Sequence, residues 1–430
     1  MILPPNHPKR HVLNDEVHAR PPEALRAPVA ISYLALFASG QRGVDHRTIS
    51  TLCEHMGVAP PDETASHFSR DMGAFRLKWE RHTEFSRIKV IAPAGEGRLF
   101  ETTAVSLLPE DWVRDLPGEL MVATHVLLLP MPKKPIEITQ LSKDVFSGNN
   151  VIGSQVGGGA GRAYTDFRIH GDGFSRLLVY DQGMASRQAG RMVQRLLEID
   201  TYRMMALLAF PLARELAPKI SAQERELAQI ATVMANSGQN EDHQLLERLS
   251  RLQASIESNH ADSHYRFSAA RAYHDLVLRR IEELREERLP GLQTFSEFTE
   301  RRLLPAIQTC NAIAMRQEEL SRRVARATQF LSTRVAVASE RQNQLVLEAM
   351  ARRSKLQLRL QETVEGLSVA AVTYYVVGLV GYLAKAIQEV GAPINPAIAM
   401  GISIPVVAGL VWYGVRRVRQ MVTKDEQELD

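Results

Sequence analysis

At 430 residues, with 52 basic against 49 acidic side chains and a net charge of +3, the chain can form a folded domain plus a long helical part, and it is too balanced for a global field that draws nucleic acid. Its two cysteines, Cys53 and Cys310, lie far apart and outside any C-x-x-C spacing, which excludes a disulfide framework and suits a reducing compartment. Pro4, Pro5 and Pro8 stand among charged groups where a secretory leader needs an apolar run, so no export signal is expected.

Residues 1–182 read as a mixed α+β domain. Pro28 to Ala38, Ala74 to Val90, Leu120 to Leu129, Val151 to Val156, Ala163 to His170 and Phe174 to Tyr180 are short runs rich in β-branched, aromatic or alternating residues, and predict strands. Arg47 to Met56 and Glu110 to Asp115 predict short helices between them. Tyr164 to Ile169 and Ser175 to Val179 flank His170-Gly171-Asp172-Gly173, whose glycines permit positive φ and predict an antiparallel hairpin. The cluster Gly157 to Gly161 lacks the lysine and Ser/Thr of a P-loop, and Arg162 stands where a dinucleotide fingerprint has its last glycine. A plain strand-connecting loop is expected there.

From 183 to 294 the period turns helical. Ala189, Met192, Val193, Leu196, Ile199, Met204, Leu207 and Leu208 recur at helical spacing, and Pro211 is predicted to kink or end that helix. Ser221 to Asn236 and Asp242 to Ser258 predict an antiparallel pair, and Arg266 to Leu289 a further helix closed by Pro290-Gly291. Residues 295–365 hold no glycine and one proline, Pro305, so a single stalk helix of roughly seventy residues, ~100 Å long, is expected. Its seam of Leu303, Ile307, Cys310, Ala314, Val324, Leu331, Val335, Ala338, Leu345, Ala349 and Leu356 is interrupted by Gln317, Ser321, Thr328, Gln342 and Arg352, the pattern of a loose coiled-coil stalk. Between Arg301 and Leu360 twelve Lys or Arg face four Glu.

Residues 366–415 predict a transmembrane hairpin. Gly366 to Ala384 and Ala397 to Val415 each run about nineteen residues without a charge, enough to cross a bilayer core. Arg352, Arg353, Lys355 and Arg359 precede the first span, and Arg416, Arg417 and Arg419 follow the second in a basic tail, 416–430; the turn carries only Lys385, balanced by Glu389. Both termini are therefore expected on the cytoplasmic side of a bacterial inner membrane, among its lipids.

Sites of chemistry are few. His7, His11, Asp15 and His18 would share one face of a helix, and imidazole with carboxylate suits zinc or a similar divalent cation; salt-bridged packing of an N-terminal arm is the alternative. Trp79-Glu80-Arg81-His82-Thr83-Glu84-Phe85 has the alternation of a strand with one wet face. No G-x-S-x-G elbow, H-E-x-x-H or activated cysteine stands out, and no enzyme is expected. In the spans, small residues and tyrosines suit helix packing, or a narrow pore shaped by Tyr374, Gly378, Gly381, Tyr382, Lys385 and Asn395.

Leu13-Asn14-Asp15-Glu16-Val17-His18-Ala19-Arg20-Pro21, the Trp79 to Phe85 stretch, Thr165-Asp166-Phe167-Arg168, Leu197-Glu198-Ile199-Asp200-Thr201-Tyr202-Arg203 and Glu365-Gly366-Leu367-Ser368-Val369 together resemble the bacterial family called domain of unknown function 3422, across essentially the whole chain. The layout separately resembles CorA-type magnesium channels: an α/β cytoplasmic domain, helical layers, a long helix into the first span, a short turn and a second span. That resemblance implies a homo-oligomer, a pentameric ring conducting a cation. Gly381-Tyr382-Leu383 stands where those channels carry Gly-Met-Asn, so the magnesium signature is missing. Two functions follow as expectations: an ion channel gated by its cytoplasmic part, or a membrane-anchored scaffold or sensor whose helical layers bind a protein partner.

Overall fold

A computed structural model describes residues 4–11, 13–14, 21–37, 44–236, 241–389 and 395–427. The chain divides into two units, Met1–Asn236 with Gln244–Thr328 and Ser237–His243 with Gln329–Asp430.

The first unit is built on a nine-stranded sheet. Strand β1 (Val29–Phe37) sits near its middle because seven consecutive residues from Ala30 to Leu36 are buried, the pattern of a strand covered on both faces. It pairs antiparallel with β4 (Phe85–Pro93) on one side and β5 (Glu119–Pro130) on the other. Beyond β4 lie β3 (Arg76–Arg81) and β2 (His67–Asp71). Beyond β5 lies β8 (Ser175–Asp181), paired parallel, then β7 (Gly161–Thr165), β6 (Ile152–Val156) and the two-residue β9 (Glu287–Arg288), all antiparallel.

The expected strands all form, with two differences. The run from Ala74 to Val90 folds back on itself as the β3–β4 hairpin. The run from Ala163 to His170 leaves the ladder after Thr165, because Phe167 takes a positive φ of 51° that no ladder accommodates. Ala38 lies outside the described residues. The Gly157 to Gly161 cluster does join two strands, β6 and β7, and the Gly157 and Gly158 amides donate to the carbonyls of Leu284 and Arg285.

One sheet face packs under α1 (Val44–His55), a single 3-10 turn (Ala104–Leu107), α2 (Glu110–Arg114) and α3 (Ile138–Val145). Alternate residues Leu34, Leu36, Leu77, Trp79, Ile88 and Val90 meet Ile49, Leu52 and Cys53 there, and Ala30, Leu127, Leu178 and Tyr180 meet Leu141, Val145 and Phe146. The opposite face lies under α4 (Ser186–Leu207), whose Thr201, Glu198 and Asp200 reach strand residues Tyr33, Arg87 and Thr124.

Pro211 marks a boundary: α4 ends at Leu207 and α5 (Ala209–Asn236) begins, with Pro211 in the first turn, where its missing N–H breaks no helical bond. The two helices expected after Asp242 are one, α6 (Asp242–Leu284). The polar stretch between them holds because Ser263 is buried, its hydroxyl donating to the Asn259 carbonyl and meeting Gln317. The expected single stalk is broken into α7 (Phe295–Arg302), started by a Thr294–Glu297 capping box, and α8 (Leu304–Glu389), with Pro305 tolerated in its first turn. Within the first unit α5, α6 and the start of α8 form a layer tied by Gln223–Ser255, Arg316–Glu224 and Ser263–Gln317.

In the second unit Arg334 pairs with Asp242. Residues 339–364 of α8 are exposed on every face, so the seam positions Leu345, Ala349 and Leu356 are uncovered in one chain. The end of α8 and α9 (Pro396–Gln427) are long and apolar enough to cross a membrane. They touch where Gly381 meets Met400: a Cβ on Gly381 would stand 2.6 Å from the Met400 sulfur.

Candidate functional site

Two polar constructions stand out in the first unit. The strand period places Lys78 and Glu80 of β3 and Arg87 and Lys89 of β4 on the face covered by α4, and all four are buried. The wet strand face expected around Trp79 to Phe85 is thus an interior. It is kept charged by reciprocal pairing. Arg87 pairs with Glu80 and, at 3.2 Å, with Glu198; Arg280 of α6 donates to Glu198 at 2.5 Å and to Glu283, which also takes Arg195 at 2.9 Å. Burial by itself raises the Glu80 carboxyl, but Arg87, Lys89 and Lys78 outweigh it and hold that group at about 2. Lys89 goes the other way: burial and the Arg87 charge bring its ammonium down to about 7. Tyr33, hydrogen-bonded to Thr201 at 2.7 Å, is pushed up by burial. These groups face one another, so their chemistry is to hold sheet and helix together.

The second construction opens outward. A cleft of about 610 Å³ forms where three separate segments meet: α3 with the loop after it, the stretch just past β7, and the turn leading into α7. Ser142, Lys143, Asn149, Asp166, Arg168, Gln293, Phe298 and Arg302 line it. Sharp backbone brings these side chains together. Ser147 and Phe167 both hold positive φ, 53° and 51°, a conformation costly enough for residues other than glycine that its surroundings must impose it. Phe167 is clamped: its ring stacks on Phe298 at 4.6 Å and meets Phe295 edge-on at 5.9 Å, and the Arg203 guanidinium lies 4.8 Å from its centre. Arg168 follows it onto the exposed wall.

The acid in the cleft is already engaged. Asp166 accepts from Asn149 Nδ2 at 2.9 Å and from the Arg168 amide at 3.2 Å, and lies 3.0 Å from His170 Nε2. That approach to His170 lies off the hydrogen-bond direction, and Nε2 has no hydrogen-bond partner. Ser147 Oγ stands 3.2 Å from the other ring nitrogen of His170. The amides of Gly148 and Asn149, just after the serine, already donate to the Ser142 and Phe146 carbonyls and are not free to serve as oxyanion donors.

The residues singled out in the sequence are spread more widely. His7 and His11 are exposed, the His7 ring accepting from the Lys9 amide at 3.2 Å and the His11 ring 3.4 Å from Asn6; Asp15 and His18 lie outside the described residues. Among the described residues no group of three metal-binding side chains gathers. Tyr374, Gly378, Tyr382 and Lys385 follow at i, i+4, i+8 and i+11 along one side of α8; Tyr374, Tyr382 and Lys385 are exposed, and Gly378 has no atom near its missing Cβ. Asn395 caps α9, its Oδ1 accepting from the Ala397 amide at 3.0 Å. Arg352, Arg353, Lys355 and Arg359 are exposed on α8, Arg416 lies over the Trp412 ring at 5.0 Å, Arg417 is exposed, and the Arg419 side chain is outside the described residues. Sequence reasoning missed the cleft, although Thr165-Asp166-Phe167-Arg168 had been singled out as a family string; what it lacked was the fold that brings 142–152 and 291–302 beside it.

A family model described as Protein of unknown function (DUF3422) matches residues 5–422. No curated protein and no solved structure matches the chain.

Proposed function

The chain belongs to the DUF3422 family, and from its own residues we propose that it is a membrane-anchored sensor, in which a two-helix hairpin tethers a sheet domain that takes up a small ligand in the cleft beside Asp166 and Arg168. The observation that carries this reading is where the recognition chemistry lies. In the hairpin, Gly381 serves a close approach to Met400 and Asn395 serves as a helix cap. In the sheet domain, strained backbone supports an open, polar-walled cleft of the size that holds small ligands. The exposed Tyr374, Leu379, Tyr382, Ile402 and Leu410 are then lipid-facing. The basic residues on both flanks support a reading in which the two termini lie on the cytoplasmic side of a bacterial inner membrane.

One observation favours a second reading. The unpartnered face of Tyr374, Gly378, Tyr382 and Lys385 is one that several copies, in a ring with a CorA-like layout, would turn toward a common axis and use to conduct an ion. The two readings separate in reconstituted vesicles. The anchored sensor resists alkaline extraction from the membrane and passes neither monovalent nor divalent cations. Cation flux that Gly381→Leu abolishes, from a symmetric oligomer, would replace it with the channel.

A further inference from the structure

The chemistry of the cleft walls narrows the ligand. Lys143, Arg168 and Arg302 come from three different segments and all line the same cleft, yet none makes an ion pair or side-chain hydrogen bond with any described residue. Unpaired cations are common on this chain's surface; what sets these three apart is that they converge on one space, whereas Arg87, Arg195, Arg203, Arg266, Arg280 and Arg316 each hold a carboxylate. Of the acids nearby, Asp166 accepts from Asn149 and lies against His170, Asp144 accepts from Gln140, and Glu286 accepts from the Phe295 and Ser296 amides that open α7. Three cations against one lining carboxylate, Asp166, leave the cleft net positive, with amide groups beside it. Ile138 and Thr139, the first residues of α3, also line it, and Glu137 before them makes no side-chain cap to the helix's first amides. Phe298, held flat against Phe167, supplies one apolar wall.

We propose that this cleft binds a phosphate-bearing small molecule of nucleotide size, with Arg168, Arg302 and Lys143 holding the phosphate groups and Phe298 contacting the remainder. Guanidinium pairs match phosphate oxygens in bidentate fashion, and an ammonium adds a point charge. Asp166 takes no part in holding the phosphate: it fixes the turn that presents Arg168, through its bonds to the Arg168 amide and to Asn149. The proposal rests on the reading that this cleft is the ligand site of an anchored sensor.

The test uses the full chain in nanodiscs of zwitterionic phosphatidylcholine, with ADP and inorganic pyrophosphate as probes followed by calorimetry, and phosphatidylglycerol vesicles as a separate arm. Saturable binding of ADP or pyrophosphate, weakened about tenfold or more by Arg168→Gln and by Arg302→Gln, is the expected result. Both side chains are exposed, so an unchanged circular dichroism spectrum and melting temperature would show that the variants fold. Attachment only to phosphatidylglycerol vesicles, lost in the same variants, would keep the phosphate chemistry and assign it to a lipid headgroup. Absence of binding in every arm, or binding unchanged in the Arg168→Gln, Arg302→Gln double variant, would overturn the proposal. Membrane extraction and cation flux measured on the same preparation keep the two conclusions apart: a firmly anchored, non-conducting protein that ignores phosphate sinks the ligand class alone, and a leaky or extractable one sinks the anchored reading alone.

Discussion

Arg87 on β4 donates from Nη1 to Oε1 of Glu198 on α4 at 3.2 Å, joining residues 111 apart in the chain across the sheet–helix boundary. Glu198 also accepts from Arg280 at 2.5 Å, so one carboxylate satisfies guanidinium groups from a strand and from a second helix. Removing it leaves Arg87 with Glu80 alone and Arg280 with Glu283 alone. Glu198→Ala is expected to cost about 1.5–3 kcal/mol, because charged hydrogen bonds are lost in an interior where each guanidinium keeps one other carboxylate. Glu198→Gln, which keeps a carbonyl acceptor, should fall between the two. Urea unfolding followed by tryptophan fluorescence reads both, and a midpoint unmoved by Glu198→Ala would contradict the pairing.

Lys89 faces the same layer with no carboxylate of its own. Burial and Arg87 bring its ammonium down to about 7, so between about pH 7 and its unfolded value near 10.4 the unfolded chain binds the extra proton. Stability contributed at this position therefore rises with pH across that window. Lys89→Met should remove the rise and stabilise the protein at about pH 7 by about 1–4 kcal/mol, the range seen when buried charge gives way to packed hydrocarbon. Thermal midpoints of both proteins at several alkaline pH values check it; parallel curves would count against a titrating Lys89.

His125 titrates on the acid side. Its ring stacks on Phe174 at a centroid distance of 3.9 Å and its Nδ1 lies 2.9 Å from Ser32 Oγ; burial lowers it to about 4. The neutral ring's contribution is complete above the unfolded value near 6.5 and is lost as pH falls through about 4, because the unfolded chain takes the proton first. His125→Asn should flatten the drop in midpoint between about pH 7 and about pH 5. An equal drop in both proteins would assign it to other groups.

Gly190 of α4 lies directly under the segment that precedes β1. A Cβ there would stand 1.7 Å from the Glu23 carbonyl oxygen, backbone against backbone, where no rotamer change relieves the clash. The segment is held by the Leu25 amide donating to the Ser186 carbonyl and by Lys78 donating to the Pro21 carbonyl. Gly190→Ala should lift it, speed hydrogen exchange at Leu25 and cost about 1–3 kcal/mol. Gly171→Ala, at a position with nothing within reach and no left-handed backbone, is the silent control.

Whatever depends on neighbours in the chain was settled by the sequence alone. Short β-branched, aromatic or alternating runs placed β1 and β3 to β8, because each carries its own buried residues, while β2 at the sheet edge gave no such run. Uncharged runs placed the two apolar helices, because length and composition are all that crossing a bilayer demands. Helix ends were less legible: Pro211 and Pro305 mark starts rather than stops, and Ser263 bridges a stretch too polar to be expected helical, since its partner Gln317 comes from another helix. Only tertiary structure decided what the polar residues do. Lys78, Glu80, Arg87 and Lys89 have the spacing of a solvated strand face, and they are interior because Glu198 and Arg280 arrive from far along the chain to neutralise them. The cleft is the same case turned outward: Lys143, Arg168 and Arg302 are ordinary surface cations in sequence, and become a set when the fold closes three segments around one space lined by a single carboxylate, Asp166. Charge acts through space, at distances of a few ångströms that sequence separation does not encode.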